Sequence, residues 1–400
     1  MIEEHLDRQW VRRSLVRDDL AHWVSAAPTE SGFFRTALDR RWRPAEEQRA
    51  TLVSQGRLLY VFAVGCEVTG ERAYLDALRR GAAFLVGHFR DDEHGGWFFS
   101  CGPDGRVVED HKDSYGHAFA MFGLSHAARV LGDPELAAAA LETWEVVRWR
   151  LRDDAGGLKR RTSRDFRVAS GTNSQNPIMH MFEAAQALHE ATGWQAAFDA
   201  VASLAELLFD RLFDEAGGYV AELYDEHWRP LDPDRGGCVN VGHQFELAFL
   251  LCRAVERGLS AAYLAKAHRL IDWGLKFGYD RGVGGIFSAC RYDGSATQVT
   301  KGWWEQAELL RALMHAAELH GREELWKPFG ESLHLVRAHF MDAEYGGWFT
   351  SYDPAAPQED RPTDKGSPWK VDYHATGFYA EALRLLDRAG KEPGRRGCTG

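Results

Sequence analysis

A glycine-centred turn, EHGGWFF at residues 93–99, recurs six times along this chain of 400 residues. Its other copies are TESGFF (29–34), DAGGLKR (154–160), EAGGYVA (215–221), GVGGIFS (282–288) and EYGGWFT (344–350). The turns are 61 to 67 residues apart, and apolar residues alternate with small or polar ones after each glycine, as in a short hairpin. Such a regular period predicts six structural units that share one plan.

Two stretches with helical periodicity lie between successive turns, for example residues 44–70 and 71–89. The first helix of each pair is rich in apolar and small residues, and the second carries more charge on one face, which is typical of an inner and an outer helix. Each first helix is predicted to end at a glycine in a left-handed cap. These glycines are Gly70, Gly132, Gly193, Gly258, Gly321 and Gly390.

This pattern predicts an all-α fold, an (α/α)6 barrel of six inner and six outer helices with short β-hairpins in the connecting loops. We expect residues 1–400 to form a single catalytic domain, with residues 389–400 as a flexible tail. An open solenoid of the same helix pairs is the alternative, but inner helices this apolar close more naturally into a barrel.

Charge and cysteine usage exclude several classes of protein. The net charge of -11 disfavours binding to nucleic acid or to an anionic membrane. The chain has no apolar run of 18 residues and no basic-then-apolar N-terminal segment, so a cytoplasmic protein is expected. Its six cysteines show no CxxC spacing, which predicts free thiols and argues against a zinc ribbon.

Polar residues of the first helices share one height. Counted back from the terminal glycines, they lie 13 to 17 residues away, which at about 1.5 Å per residue is within roughly one helical turn. They are Arg57, His117, His180, His243, Trp304, Glu308 and His374. A lone histidine on an apolar helix is usually a satisfied core residue, but a shared height across six units favours a pocket at one mouth of the barrel.

Two of these histidines have a carboxylate three residues later, Glu183 after His180 and Glu246 after His243. Residues three apart lie side by side on a helix, so each pair predicts an imidazole oriented by a carboxylate. This arrangement raises the basicity of the imidazole, as a general base requires.

The motifs around these residues resemble the N-acylglucosamine 2-epimerase superfamily, which includes cellobiose 2-epimerases and mannose and sulfoquinovose isomerases. The resemblance covers about residues 45 to 385. It rests on SQGRLLYVFA (54–63), DSYGHAFAMFGL (113–124), NPIMHMFEAAQAL (176–188), VGHQFELAFLL (241–251), KGWWEQAELL (301–310) and SPWKVDYHATGFYAEAL (367–383). Each motif is weak alone, whereas six in order are specific.

The resemblance implies an (α/α)6 barrel and an ene-diol or ene-diolate intermediate, with His243 and His374 as the catalytic acid–base pair. It also implies the residues that hold the sugar or orient the bases. We expect these to be Arg57, Tyr115, His117, Asn176, His180, Glu246, Trp304, Glu308 and Trp369.

The chemistry read from the residues agrees with this. Removing the hydrogen at C2 of an aldose needs a base with a pKa near neutrality, which histidine supplies. Two imidazoles on opposite faces of C2 give a 2-epimerase acting on mannose, glucose or an N-acylglucosamine. Return of the proton to C1 gives a mannose–fructose type aldose–ketose isomerase instead. Arg57 is the candidate for stabilising negative charge on O1.

Three other readings remain open. A glycoside hydrolase would use Glu246 and Glu308 as its two carboxylates. A catalytic metal on the HxxE pairs and a non-catalytic sugar-binding module are the others, and the excess of histidine favours proton transfer over all three. We predict a small-molecule sugar as the partner, with no metal, no cofactor and, for lack of a GxxxxGK[ST] loop, no nucleotide activator. A homodimer is the candidate assembly.

Overall fold

The structure of the chain is a computed structural model that describes residues 1–357 and 361–390. The inner ring consists of helices α3 (Leu52–Thr69), α5 (Ser114–Leu131), α7 (Asn176–Thr192), α9 (Val241–Glu256), α11 (Trp303–Leu319) and α13 (Tyr373–Ala389). The outer ring contains α4 (Arg72–Phe89), α6 (Pro134–Val146), α8 (Gln195–Ala205), α10 (Leu264–Trp273) and α12 (Trp326–Leu335). The N-terminal helices α1 (Arg8–Leu15) and α2 (Ala21–Ala26) complete it.

Each inner helix contacts the next around the ring, and α13 packs against α3, α11 and α1. The ring is therefore closed, which confirms the predicted (α/α)6 barrel and excludes the open solenoid. The sixth outer position is filled from the N-terminus, because α1 runs through a wider helical turn at Val16–Leu20 into α2. Four outer helices end in similar wide turns, at Val147–Leu151, Glu206–Leu212, Gly274–Gly278 and Val336–Phe340.

The strands are short, and all of their pairs are antiparallel. The first eight are β1 (Ala50–Thr51), β2 (Ser100–Cys101), β3 (Val107–Glu109), β4 (Lys112–Asp113), β5 (Arg161–Thr162), β6 (Ala169–Ser170), β7 (Asn173–Ser174) and β8 (Phe213–Asp214). The others are β9 (Tyr219–Val220), β10 (Leu223–Tyr224), β11 (Val239–Asn240), β12 (Ala289–Cys290), β13 (Ala296–Gln298), β14 (Lys301–Gly302) and β15 (Ser351–Tyr352).

Strand pairing ties each unit to the next. The strands β1, β4, β7, β11 and β14 each lead into an inner helix, and each pairs with a strand that follows the glycine turn of the next unit. The sheets therefore lie at one mouth of the barrel and fix where the inner helices begin.

The glycine caps are confirmed with one exception. Gly70, Gly132 and Gly193 directly follow their helices with φ of 71°, 64° and 67°, in the left-handed region that glycine adopts without a steric cost. Gly258 and Gly321 are also left-handed, each one residue beyond the cap position. Gly390 directly follows its helix, as predicted, but the left-handed conformation predicted for it is wrong, since its φ is -69°.

The predicted flexible tail, residues 389–400, is largely outside the described residues. Ala389 is the last residue of α13, and Gly390 follows it. The remaining ten residues, with Cys398 among them, are not described. The other five cysteines are free thiols, as predicted.

Two tryptophans with positive φ pack against the glycine turns of neighbouring units. Trp228 (φ 60°) covers Gly157 so closely that a Cβ there would lie 1.9 Å from its ring. Trp42 (φ 63°) covers Gly347 in the same way, and its indole N–H donates to the Tyr345 carbonyl at 2.8 Å. Since Trp42 belongs to the first unit and Gly347 to the sixth, this contact helps to close the ring.

Candidate active site

The mouth of the barrel that carries the short sheets also carries the first turns of the inner helices. His243 is the third residue of α9, and its backbone N–H donates to the side chain of Asn240, the residue that caps the helix, at 3.1 Å. His374 is the second residue of α13, and Asn176 is the first of α7. Side chains from different units are therefore brought together at one end of the barrel.

A cavity of about 490 Å³ opens at this mouth. Its wall is formed by Arg57, Tyr115, Asn176, His180, Glu222, Asn240, His243, Trp303, Trp304, Thr350, Ser367, Trp369, Lys370 and His374. Eight of the predicted site residues are in this set, and both proposed catalytic histidines are among them. A volume of this size is ordinary for a small-molecule site.

His117 is not brought to the cavity. Its side chain is fully buried, its Nε2 accepts a hydrogen bond from the Trp97 backbone N–H at 3.1 Å, and its Nδ1 lies 2.8 Å from the Asp113 carbonyl oxygen. Burial lowers the pKa of His117 to about 3. The neutral imidazole donates to one backbone group and accepts from another, and in this way it stabilises the glycine turn. His117, predicted to bind the substrate, is therefore a core residue.

Two of the three histidines that line the cavity pack against the same indole. The His243 ring centroid is 4.9 Å from that of Trp304, and the His374 ring centroid is 5.4 Å from it. Both imidazoles therefore face a cavity of which the half-buried Trp304 is one wall.

The carboxylate partner of His243 is Glu222, not Glu246 as the helix spacing predicted. Oε2 of Glu222 lies 2.6 Å from Nδ1 of His243. Glu222 also accepts hydrogen bonds from the Gln175 amide at 3.0 Å and the Ser174 hydroxyl at 3.1 Å, and these contacts fix its position. A proton on Nδ1 shared with this carboxylate leaves Nε2 of His243 as the basic nitrogen.

His374 has a similar partner. Its Nδ1 lies 2.8 Å from Oε1 of Glu308, which is fully buried behind it. Glu246 is also fully buried, with one oxygen 3.9 Å from Nδ1 of His374 and 4.0 Å from Nε2 of His180. Both predicted carboxylates thus lie beneath the cavity floor, where Glu308 contacts His374 directly and Glu246 makes no hydrogen bond to any described residue.

The predicted pairing of His180 with Glu183 is confirmed, with 3.2 Å between Nδ1 and Oε2. Glu183 also accepts a hydrogen bond from the Tyr373 hydroxyl. Burial lowers the pKa of His180 to about 4, so this imidazole is neutral at pH 7. Tyr373 was not predicted from the sequence, although it directly precedes His374.

Burial dominates the electrostatics of the floor. It raises the pKa of Glu308 to about 7, and it raises that of Glu246 well above the ordinary range with the help of the Glu308 and Glu183 charges. Burial and the Arg57 guanidinium hold the pKa of His374 well below its ordinary value. The imidazole of His374 is therefore neutral at pH 7.

Arg57 brings a positive charge to the same cavity and, within the described part of the chain, contacts no carboxylate directly. Its guanidinium lies over the Phe119 ring at 4.3 Å, donates to the Tyr115 hydroxyl at 2.8 Å and donates to the Trp369 carbonyl at 3.1 Å. Its Nε is buried without a hydrogen bond. The cation is held rigidly and keeps the capacity to bind an anionic oxygen.

Among the described residues, three clusters of side chains have ligand atoms close enough together to hold a metal ion, and two of them lie at this site. These two are His180 with Glu183 and Glu246, and Glu246 with Glu308 and His374, each within 4.8 Å. In both clusters the histidine Nδ1 already faces a carboxylate. The expectation that the site uses no metal stays a prediction.

Among the described residues, no helix is both long and apolar enough to cross a bilayer.

Residues 32–377 match the sequence pattern of the N-acylglucosamine 2-epimerase (GlcNAc 2-epimerase) family. A mannose-6-phosphate isomerase of Rhizobium meliloti is 31% identical over 327 residues, covering 75% of this chain and 80% of the relative. A cellobiose 2-epimerase of Bacteroides fragilis is 22% identical, covering 94% and 98%.

The fold is shared with solved structures of sugar isomerases and epimerases. A D-mannose isomerase superposes with a TM-score of 0.87 at 23% sequence identity, covering 95% of this chain and 98% of that structure. This likeness concerns the fold, whereas the match over residues 32–377 and the 31% identical relative decide the family. The chain belongs to the N-acylglucosamine 2-epimerase family and is an isomerase.

Proposed function

We propose that the chain inverts C2 of a reducing aldose of the mannose, glucose or N-acylglucosamine type, with His243 and His374 as the acid–base pair. One observation carries this proposal: the two imidazoles line one cavity, and the Nδ1 of each faces a carboxylate, Glu222 in the cavity wall and Glu308 beneath it. A neutral imidazole whose Nδ1 faces a carboxylate can take a proton from C2 through Nε2, and the other histidine, as an imidazolium, returns a proton to the opposite face.

The intermediate in this proposal is an ene-diolate, and the cavity suits its charge. Arg57 lies at the wall as a fixed cation, and the first turns of several inner helices meet at the same mouth. The N-terminal end of a helix carries a partial positive charge, which favours an anion nearby. Trp304 between the histidines offers a flat apolar surface for the C–H face of a sugar.

The glycoside hydrolase alternative gains no support from this geometry. It needs two carboxylates that flank a glycosidic bond. Glu246 and Glu308 are fully buried and do not line the cavity.

Aldose–ketose isomerisation is the second candidate. The 31% identical relative is named a mannose-6-phosphate isomerase, and a D-mannose isomerase superposes closely. Both reactions use the same intermediate and differ only in whether the proton returns to C2 or to C1. The same acid–base residues are proposed for both.

The test is incubation with mannose, glucose, N-acetylglucosamine and cellobiose in heavy water, followed by proton NMR. We expect the C2 proton signal of one sugar to disappear as an epimer forms, with deuterium at C2. A ketose as the product selects the isomerase. An epimer formed without deuterium at C2 contradicts proton transfer by two histidines on opposite faces.

A further inference from the structure

A second depression of about 420 Å³ opens beside the active-site cavity. Asn176 and Glu222 line both spaces, so they are contiguous. The far wall is formed by Arg160 and Arg161, at the start of β5, and by the loop from Ser170 to Thr172 that leads to β7. A group attached to a sugar in the cavity therefore has room to extend into this depression.

Arg160 is held in place there without a carboxylate partner. Its carbonyl accepts hydrogen bonds from the Ser114 backbone N–H and hydroxyl, both at 3.2 Å. Its aliphatic stem lies under Gly171, where a Cβ would approach to 2.9 Å. Its guanidinium lies over the Tyr115 ring at 5.4 Å and, within residues 1–357 and 361–390, makes no ion pair.

The charges around the depression leave a net positive wall. Arg161 is half-exposed and only 3.9 Å from the nearest oxygen of Asp113, a weak pair that leaves most of its donors free. Glu222, the carboxylate of this wall, already binds His243 and accepts hydrogen bonds from Gln175 and Ser174. Two guanidinium groups therefore face one carboxylate whose charge is engaged elsewhere.

We infer that this depression binds a phosphate ester carried by the end of the sugar away from C1. A guanidinium presents paired donors that match phosphate oxygens, and an arginine already oriented by stacking loses less entropy when it binds. The inference rests on the proposed function only in placing C1 and C2 at His243 and His374. The preference for a phosphate ester over the free sugar depends on Arg160, and it can be measured as a difference in binding affinity without turnover.

The binding test uses glucitol 6-phosphate and glucitol, which have no carbonyl carbon and cannot react. By isothermal titration calorimetry, we expect the protein to bind the phosphate at least tenfold more tightly than glucitol, because hydrogen bonds to charged groups contribute about tenfold to a hundredfold. Arg160→Gln should reduce this preference to within about threefold, and Arg160→Lys should keep part of it. Arg167→Gln is the control, since Arg167 lies in the same loop, with its side chain 84% exposed.

Equal affinity for the two ligands in the unmutated protein overturns the inference. So does an Arg160→Gln variant that loses both ligands equally while its circular dichroism spectrum is unchanged, because Arg160 then has a structural role. A neutral second sugar as the natural occupant would appear as tighter binding of cellobiitol than of glucitol 6-phosphate, which also overturns it.

The activity test compares mannose 6-phosphate with mannose by hydrogen exchange at C2 in heavy water. We expect kcat/KM to be at least tenfold higher for the ester, and Arg160→Gln to remove this difference. Exchange with mannose but no preference for the ester contradicts the inference and leaves the proposed function standing. Tight binding of glucitol 6-phosphate without exchange at C2 of mannose, glucose or N-acetylglucosamine, free or as the 6-phosphate, contradicts the proposed function and supports the phosphate site.

Discussion

Nδ1 of His243 lies 2.6 Å from Oε2 of Glu222, a residue from the loop between β9 and β10. The burial of Glu222 would raise its pKa, but His243 and the donors Gln175 and Ser174 outweigh this effect and hold the pKa below its ordinary value. The carboxylate is therefore ionised at pH 7. It orients the imidazole and stabilises the imidazolium that forms when His243 accepts a proton.

Glu222→Gln should lower kcat by about tenfold to a thousandfold with a smaller change in KM, because an amide can donate to Nδ1 and leave the proton on the wrong nitrogen. The measurement is steady-state kinetics on the substrate found by NMR. Glu226→Gln is the control, since Glu226 lies four residues away with its side chain 80% exposed. Equal kinetics in the two variants would contradict a role for Glu222.

His243→Asn and His374→Asn should each reduce turnover by roughly a hundredfold or more, since an acid–base group typically contributes about 10²–10⁴. The two variants should differ in which substrate proton they exchange, because each retains the base for one face of C2. Single-turnover exchange in heavy water measures this with each epimer as substrate. Retained turnover in both variants would remove the mechanism and leave the fold unaffected.

His117→Ala and His180→Ala separate a core histidine from a cavity histidine. Both side chains are buried, but only His180 lines the cavity. His117→Ala should cost about 1–3 kcal/mol of unfolding free energy, since two backbone groups lose their partner, and leave kcat/KM of the folded enzyme within about threefold. His180→Ala should lower kcat/KM by tenfold or more. Denaturant unfolding and kinetics on the same samples check both.

The different environments of His117 and His180 show which features of the site the sequence can predict. The turn period and the apolar inner helices were sufficient to predict the barrel, because both are local patterns. The shared distance from the terminal glycines placed His117 correctly along the barrel axis. It did not show on which side of α5 the His117 side chain lies. His117 is two residues from Tyr115, and at about 100° per residue it points to nearly the opposite side of α5. Tyr115 therefore lines the cavity, whereas His117 contacts Trp97.

Glu222 could not be found by any argument from helix spacing, because it lies in a loop. Its position beside His243 depends on the pairing of β10 with β7, two strands of consecutive units that α7 and α8 separate in sequence. The only local signal was an acidic residue within the otherwise apolar segment 219–224. The Glu246 prediction failed for the same reason, since no local pattern shows that a loop residue 21 positions earlier in the chain is the partner of His243.

The closure between the sixth and first units should depend on Asp342. This carboxylate is 1% exposed and binds Lys365 at 2.9 Å and Arg40 at 2.9 Å. Asp342→Asn should lower the unfolding free energy by about 3–5 kcal/mol at pH 7, because the buried Lys365 ammonium loses its counter-charge. Asp92→Asn, with a side chain 90% exposed, is the control and should change it by less than about 0.5 kcal/mol.

The unfolding free energy lost in Asp342→Asn should decrease as the pH falls. Burial would raise the pKa of Asp342, but the hydrogen bonds from Arg40 and Lys365 outweigh it and hold the pKa well below its ordinary value. A depressed folded-state pKa contributes stability above the unfolded pKa of about 4 and loses it as the pH falls further. The difference between wild type and Asp342→Asn should therefore be constant from pH 6 to 8 and shrink below about pH 4. A constant difference down to pH 3 would contradict the role of the ionised carboxylate.

Glu308 should set the acid limb of the activity profile. Its pKa, raised by burial to about 7, means that it gains a proton as the pH falls below neutrality. A protonated Glu308 donates to Nδ1 of His374 and forces a proton onto Nε2 when the ring tautomer adjusts, so the base is lost. We expect kcat/KM to fall below about pH 7 in the wild type and to lose this limb, at an activity lower by about tenfold or more, in Glu308→Gln. Glu305→Gln is the control, because Glu305 is equally buried on the same helix but accepts its hydrogen bond from Ser288 at 2.9 Å. If the limb persists in Glu308→Gln, another group titrates, and the pairing of Glu308 with His374 serves only to position the ring.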